Sequence, residues 1–365
     1  MSNLQLTYTE TELLETDATV EPLVAAGRRC HGGFAADGTY RSPRTRFRTP
    51  AIEAWQQHHH EQFGGELLDV PLATWPASYP NVAQAKFLVG AGVPGPVITT
   101  LTRIGIVEGF GAMIRYANVD DRQRFFLESI DGTALAHLDR GLFEAHARDE
   151  AGWEAESGHN EMWFAARDVA FGAAPTEDET SLMRERMGIP TGTGAADPAA
   201  IRERMMAARV FDDLDLDLEM LIHRMINILL IEISAFHIFA WAEAVLSDTE
   251  LFAGDGEAAR IVSYIRADET PHVEYLKTVL TEMRDRTFIG ESGTRYPGRL
   301  IVETLWDRAL DLSLGSTREQ NLRASAREVE HALAGNPRRD ALLEEFHSLG
   351  TVRPDTSIAE AGATA

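Results

Sequence analysis

The pattern of apolar and polar positions becomes helical at about residue 97 and stays helical to about residue 349. Apolar residues recur there at the spacing of one helix face, and no segment shows the alternation that is typical of a strand. The pattern therefore predicts an all-α protein with helices over residues 98–116, 120–148, 152–171, 201–210, 217–247 and 257–286, followed by two or three charged amphipathic helices.

Proline, glycine and charge divide the chain into four parts. We expect an arm with short helices at 1–96, a helical bundle at 97–286, C-terminal helices at 287–350 and a disordered tail at 351–365. A basic run from Arg41 to Arg48 is expected to pack either on the acidic body or on a second subunit, the latter making a homodimer. The polar stretch 173–198 is predicted to be a loop or lid.

Net charge and cysteine count narrow the classes of function. With 34 Lys and Arg against 57 Asp and Glu, the net charge is −23, which disfavours nucleic acid and anionic membrane surfaces as partners. The single cysteine, Cys30, excludes an intrachain disulfide and a cysteine-based metal site. The N-terminus lacks the apolar core of a signal peptide, and the most apolar stretch carries Glu232 and Glu243, so we expect a buried helix and a cytoplasmic location.

Two Glu-x-x-His pairs are candidates for metal binding. Residues three apart on a helix project from one face, so both side chains can bind one metal. Glu156–His159 and Glu269–His272 have this spacing, and each pair follows an apolar stretch that contains another glutamate. Two further pairs, at 328–331 and 344–347, lie in charged stretches and are interpreted as solvated helix faces.

The glutamates in the apolar stretches are Glu128 and Glu232. A carboxylate buried among apolar residues is costly unless a cation neutralises it, which favours a metal. Glu108 is an alternative to Glu128 as the first ligand. The predicted ligand set is Glu128, Glu156, His159, Glu232, Glu269 and His272.

The order Glu, Glu-x-x-His, Glu, Glu-x-x-His is the ligand order of ferritin-like four-helix bundles that hold two metal ions. The segment Asp268-Glu-Thr-Pro-His272 is similar to the Asp-Glu-x-x-His signature of di-iron proteins related to ribonucleotide reductase small subunits. More loosely, the chain resembles p-aminobenzoate N-oxygenases. The resemblance implies two iron ions, with manganese and iron as an alternative, and contact between Asp268 and a histidine of the other helix pair.

Four positions depart from the related families: Ala155 stands where an Asp is expected, Trp163 replaces the radical tyrosine, and Phe236 replaces the threonine of bacterial hydrocarbon monooxygenases. Ile265 stands where p-aminobenzoate N-oxygenases have an additional histidine ligand, for which His237 or His223 could substitute.

Together these features predict an O2-activating di-iron oxygenase or oxidase that hydroxylates, N-oxygenates or desaturates a small organic substrate. The predicted catalytic metal ligands are the four glutamates Glu128, Glu156, Glu232 and Glu269. Electrons are expected from an external donor such as a ferredoxin or a reductase, because the sequence shows no flavin or nicotinamide motif. A radical-generating protein and a non-catalytic metal-binding bundle are the alternatives.

Overall fold

The chain folds mainly into α-helices in the computed structural model, which describes residues 4–70, 73, 75–117, 119–172, 203, 206–207 and 209–352. The predicted lid at 173–198, most of the predicted helix at 201–210 and most of the predicted tail lie outside the described residues. The predominance of helices confirms the predicted fold class, although two small antiparallel sheets are also present.

The N-terminal arm carries the larger of the two sheets. After helix α1 (Glu10–Leu13), strands β1 (Glu21–Ala25), β2 (Arg28–Phe34) and β3 (Tyr40–Arg41) pair in that order. The expectation of no strands is wrong here because the strands are short and β2 contains glycines. A Cβ on Gly33 would lie 2.6 Å from the backbone oxygen of Glu21. Helices α2 (Arg48–Phe63) and α3 (Val82–Gly90) follow.

Four helical segments pack together as two pairs, each formed by segments that follow one another in the described chain. In the first pair, α4 (Gly95–Gly111) packs against α5 (Leu142–Ala151) and α6 (His159–Phe171). Gly105 allows the close approach of α4 to α6, because a Cβ there would lie 2.7 Å from the ring of Phe164. A 3-10 helix, Ala112–Tyr116, extends α4 to the predicted end of this helix.

The second pair consists of α7 (Leu216–Leu246) against α8 (Glu257–Asp268) and α9 (Thr270–Arg284). Asp215 caps the N-terminus of α7 by accepting hydrogen bonds from two backbone N–H groups of its first turn. The predicted helices over 217–247 and 257–286 are confirmed with one interruption. Pro271 has no N–H to donate, so the helical hydrogen bonding is interrupted next to Glu269, which keeps a helical backbone conformation.

Two segments of the first pair differ from their predicted helices. Residues 120–148 contain two 3-10 helices, Arg122–Phe125 and Leu135–Arg140, before α5 begins, and Glu128 lies in the connection between them. Residues 152–158 form a tight turn, because Gly152 has a φ of 80° and its backbone packs directly on that of Gly158. Both differences move a predicted ligand, Glu128 or Glu156, off the bundle helices.

The C-terminal part of the chain packs along the bundle. A hairpin of β4 (Thr287–Ile289) and β5 (Arg295–Pro297) leads into α10 (Gly298–Leu312), a π-helical turn at Ser313–Thr317, α11 (Arg318–Leu333) and α12 (Arg339–Ser348). Helix α10 contacts α7 and α9, α11 contacts α4, and α12 contacts α3. A cleft of about 600 Å³ remains between α4, α7 and the C-terminal helices.

Two helical stretches, Gly95–Tyr116 and Leu216–Leu246, are long and apolar enough to cross a membrane by length and composition. Core helices of soluble proteins meet the same criterion. In the most apolar window of the second stretch, 56% of the residues are buried within the protein. Each stretch also carries a buried glutamate, Glu108 or Glu232, that faces the interior of the bundle.

Candidate metal centre

Four glutamates and three histidines from all four helical segments meet in the interior of the bundle. Their side chains are at most 7% exposed, and they form two groups, each with ligand atoms that lie within 4.8 Å of one another. We call the two groups site A and site B, and Glu150 belongs to both. Site A consists of Glu108, Glu150, His159 and Glu269, and site B consists of His146, Glu150, Glu232 and His272.

In site A, three carboxylates surround Nδ1 of His159. This nitrogen lies 2.9 Å from an oxygen of Glu269, 3.3 Å from Glu150 and 3.6 Å from Glu108. The four residues come from α4, α5, α6 and the α8–α9 junction. Site A therefore depends on the packing of both helix pairs.

In site B, two imidazole rings lie face to face. The rings of His146 and His272 have a centroid distance of 3.9 Å and an interplanar angle of 21°. Nε2 of His146 lies 3.4 Å from Glu232. Nδ1 of His272 lies 3.3 Å from Glu150 and 2.7 Å from Glu269. Glu150 and Glu269 thus lie between the two sites, where a carboxylate can bridge two cations.

An aspartate precedes each of these two central glutamates and contacts a histidine of the other helix pair. Asp149 lies 2.9 Å from Nε2 of His272, and Asp268 lies 3.5 Å from Nε2 of His159. We assign the ring proton to Nε2 in both histidines from these partners, which leaves Nδ1 facing the cluster. The resemblance implied the contact of Asp268, and the contact of Asp149 is its counterpart in the first pair.

Residues of the N-terminal arm hold both aspartates. Arg44 and Arg48 are buried and pair with Asp149, with a distance of 2.8 Å from Arg48. The hydroxyl of Tyr40 donates a hydrogen bond of 2.9 Å to Asp268. The basic run therefore packs on the acidic interior of its own chain, which was the first of the two predicted alternatives.

Several atoms of the cluster have no hydrogen-bond partner among the described residues. Those that face the cluster are Nε2 of His146, Oε1 of Glu150, Nδ1 of His159 and Oε1 of Glu269, and Nε2 of His159, 3.5 Å from Asp268, also has none. Nδ1 of His159 lies 2.9 Å from Oε1 of Glu269 and 3.3 Å from Oε1 of Glu150 without the geometry of a hydrogen bond, so a cation bound by these atoms would satisfy them. Imidazole nitrogens and carboxylate oxygens are a donor set that suits iron, manganese, cobalt and zinc. The residues present fit two ions of this class.

The net negative charge of the buried carboxyl groups also indicates bound cations. Four glutamates and two aspartates provide six carboxyl groups, and among the described residues Arg44 and Arg48 alone provide permanent positive charge in contact with them. With every carboxyl group ionised and the histidines neutral, four negative charges remain. Two divalent cations would neutralise this charge.

Protons can take up part of this charge when no cation is bound. Burial and the neighbouring carboxylates hold the pKa values of Glu108 and Glu232 well above their usual range. Burial lowers the pKa values of His159 and His272, but the charge of Glu269 together with the hydrogen bonds of neighbouring carboxylates outweighs it and holds both well above their usual range. These four groups are the ones that a cation would deprotonate.

Two of the six predicted ligands, Glu128 and Glu156, lie outside the cluster. Glu128 accepts hydrogen bonds from the backbone N–H and the hydroxyl of Thr287, at 2.7 and 2.9 Å. Glu156 pairs with Arg29 at 3.1 Å, and its side chain is 39% exposed. Both glutamates lie in connections rather than on helices. The other four predicted residues, His159, Glu232, Glu269 and His272, come together as expected.

Glu108 and Glu150 occupy the places that were predicted for Glu128 and Glu156. Glu108 is the alternative first ligand that the sequence left open. Glu150 was missed because the turn at 152–158 separates it from His159 by nine positions. The sequence does contain one signal for Glu150, because the dipeptide Asp149-Glu150 repeats Asp268-Glu269.

The additional histidine of the cluster is neither of the two candidates. Nε2 of His223 lies 3.7 Å from Glu219, and His237 lines the cleft. His146, one helical turn before Glu150, is the histidine that joins the cluster.

Comparison with known proteins gives no further assignment. No family model matches the chain, and no curated protein or solved structure matches it significantly. Fold and site together define a mainly helical protein with a buried cluster of Glu, Asp and His side chains that could bind metal.

Proposed function

We propose that the protein is a ferritin-like, non-haem di-iron oxidoreductase that uses O2 to oxidise a small organic substrate. The proposal rests on one observation. Four buried glutamates and three buried histidines come together, and several of their donor atoms have no hydrogen-bond partner among the described residues. Two helix pairs that each supply glutamates and a histidine are the arrangement of di-metal carboxylate bundles.

Sites A and B would hold the two ions, with iron in both or with manganese in one. Bound iron supplies the one-electron redox chemistry that O2 activation requires. The chain itself orients the ligands, because Asp149 and Asp268 fix the rings of His272 and His159. The near-complete burial of the cluster limits the access of water. We propose that a ferredoxin or a reductase supplies the electrons.

The cleft between α4 and α7 is our candidate for the substrate site. Its volume of about 600 Å³ suits a small molecule. Its walls belong to the two helices that carry Glu108 and Glu232, and Ile104 lies one turn before Glu108. Apolar side chains line the cleft together with polar ones such as Asn227 and Ser234 and the arginines Arg103 and Arg318, which favours a substrate that has both an apolar part and polar groups.

Anaerobic iron loading followed by exposure to O2 tests the proposal. The expected result is two irons per chain, with a Mössbauer spectrum that changes from ferrous iron to coupled ferric iron. Glu108→Gln and Glu150→Gln should each reduce the iron content, because they remove cluster carboxylates. Glu128→Gln and Glu156→Gln are matched controls outside the cluster and should keep two irons. A wild-type protein that binds no iron, or whose iron does not react with O2, would overturn the proposal.

One contact favours a second candidate function, the generation of a protein radical. The hydroxyl of Tyr275 lies 3.2 Å from Nδ1 of His146, and the tyrosine is fully buried. A radical-generating protein should show an organic radical by electron paramagnetic resonance after iron loading and O2. Tyr275→Phe should remove this signal even when it is loaded with saturating iron to two irons per chain. A wild-type protein without the signal would eliminate this candidate.

A further inference from the structure

Sites A and B present different donor atoms. Glu150 and Glu269 lie between the sites, and each site has one further glutamate, but site A offers one imidazole whereas site B offers two. The difference comes from one side chain, because His146 has no counterpart in site A. The position that corresponds to His146 in the second helix pair, four residues before the central glutamate, is Ile265.

His146 is oriented as a ligand of site B alone. Its Nε2 lies 3.4 Å from Glu232 and 3.9 Å from Glu150, and this atom has no hydrogen-bond partner among the described residues. On the other side of the ring, Nδ1 lies 3.2 Å from the hydroxyl of Tyr275. With the proton on Nδ1 and donated to that hydroxyl oxygen, the lone pair of Nε2 faces site B. Tyr275 is therefore a positioning residue for His146.

The donor atoms determine which ion each site prefers. Imidazole nitrogen favours Co²⁺, Fe²⁺ and Zn²⁺ over Mn²⁺, whereas carboxylate oxygen suits Mn²⁺ well. We infer that the two sites are unequal: His146 makes site B the position that nitrogen-preferring ions fill first, and Mn²⁺ is retained best in site A. This inference rests on the proposed function, because it assumes that the cluster binds divalent transition metals.

Titration of the full-length, metal-stripped protein with Co²⁺ and with Mn²⁺ under anaerobic conditions tests the inference. Calorimetry gives the two affinities, the visible spectrum of Co²⁺ reports nitrogen ligation, and paramagnetic resonance reports bound Mn²⁺. We expect two unequal Co²⁺ binding steps. Equal amounts of Co²⁺ and Mn²⁺ should then give protein that contains one ion of each kind.

Removal of the His146 imidazole should abolish the preference of site B for Co²⁺. We expect His146→Asn to weaken the first Co²⁺ step by about tenfold or more while changing the Mn²⁺ affinity of site A less than twofold. His223→Asn is the matched control, because that histidine lies outside the cluster and should leave both steps unchanged. Tyr275→Phe keeps the ring of the tyrosine, so its smaller loss of Co²⁺ affinity reports positioning rather than packing.

The possible failures are distinguishable. Wild-type protein that binds no transition metal would overturn the proposed function itself. Two equal Co²⁺ steps, or a His146→Asn protein that keeps the wild-type affinities, would overturn only the inequality of the sites. Thermal unfolding of each metal-free variant shows whether it is folded, and Tyr275→Phe provides a second test if His146→Asn does not fold.

Discussion

Nε2 of His272 lies 2.9 Å from Oδ2 of Asp149, which precedes it by 123 positions in the sequence. The contact joins the two helix pairs, because Asp149 belongs to α5 and His272 to α9. Asp268 makes the corresponding contact with His159 in the opposite direction. Each helix pair thus orients a histidine of the other, so folding of the bundle and formation of the metal cluster depend on the same contacts.

We expect substitution by Asn to have different effects at Asp149 and at Asp268. Asp149 neutralises the buried Arg44 and Arg48, so Asp149→Asn leaves two buried guanidinium groups without their carboxylate. Loss of one partner of a buried ion pair costs about 3–5 kcal/mol, and we expect this loss in the free energy of unfolding of the metal-free protein. Denaturant unfolding in a chelator measures it.

Asp268→Asn is the matched comparison. The described contacts of Asp268 are the Tyr40 hydroxyl and the rings of His31 and His159, and they include no guanidinium group. We therefore expect a smaller loss of stability but a tenfold to hundredfold weaker metal affinity at site A, the effect typical of removing the partner of a metal-binding histidine. Equal destabilisation by both substitutions would contradict the assignment of the two arginines to Asp149.

Metal binding should release protons. Glu108, Glu232, His159 and His272 all have raised pKa values in the metal-free protein, and each must lose its proton to become a ligand. Apparent metal affinity should therefore increase as the pH rises. Calorimetric titration with Co²⁺ in buffers of different ionisation enthalpy gives the number of protons released. Binding without proton release would show that the ions do not displace these protons.

The cluster residues of the second helix pair could be predicted from the sequence pattern. Glu232 lies in an apolar run for which a buried helix was the favoured interpretation, and Glu269 and His272 have the three-residue spacing of neighbours on one helix face. Pro271 interrupts the hydrogen bonding there without removing the helical conformation of Glu269. Local pattern and tertiary structure agree in this half, and the structure brings Glu232, Glu269 and His272 together.

The first half could not be predicted in the same way. A seven-residue turn between α5 and α6 separates Glu150 from His159, and it places Glu156 at the spacing that a helical ligand would have. The close packing of Gly152 on Gly158, which makes this turn, is a tertiary feature that no helical periodicity reveals. The contacts of Tyr40, Arg44 and Arg48 also depend on where the N-terminal arm folds back.

Gly111 provides a steric test of the position of Glu150. A Cβ at Gly111 would lie 2.5 Å from Cγ of Glu150, a buried carboxylate that belongs to both sites. Gly111→Ala should displace this side chain and weaken the binding of both ions, by about tenfold or more as is typical when a ligand is misplaced. Gly95→Ala is the matched control on the same helix, because its Cβ would meet no atom within 4 Å. Calorimetric metal titration compares the two variants, and equal affinities would contradict the steric argument.

Glu282 predicts a pH dependence of stability that is separate from the metal cluster. Its carboxylate accepts hydrogen bonds from the backbone N–H groups of Ala134 and Leu135, at 3.0 and 2.8 Å. Burial nevertheless raises its pKa from 4.5 to about 7, against the lowering effect of Arg286 and of these two donors. Between these pH values, the folded protein retains a proton that the unfolded chain has released. The contribution of Glu282 to stability is therefore full below about pH 4.5 and decreases as the pH rises to 7.

Glu282→Gln removes this titration, so the difference in unfolding free energy between wild type and variant isolates it. From pH 5 to pH 8, we expect the unfolding free energy of the wild type to fall by roughly 2–3 kcal/mol relative to that of the variant. Urea unfolding of both proteins in a chelator measures the shift, because bound metal would add its own pH dependence. Glu303→Gln, on the exposed face of α10, is the surface control. A shift in favour of the wild type would mean that the two backbone donors and Arg286 outweigh burial and keep Glu282 ionised.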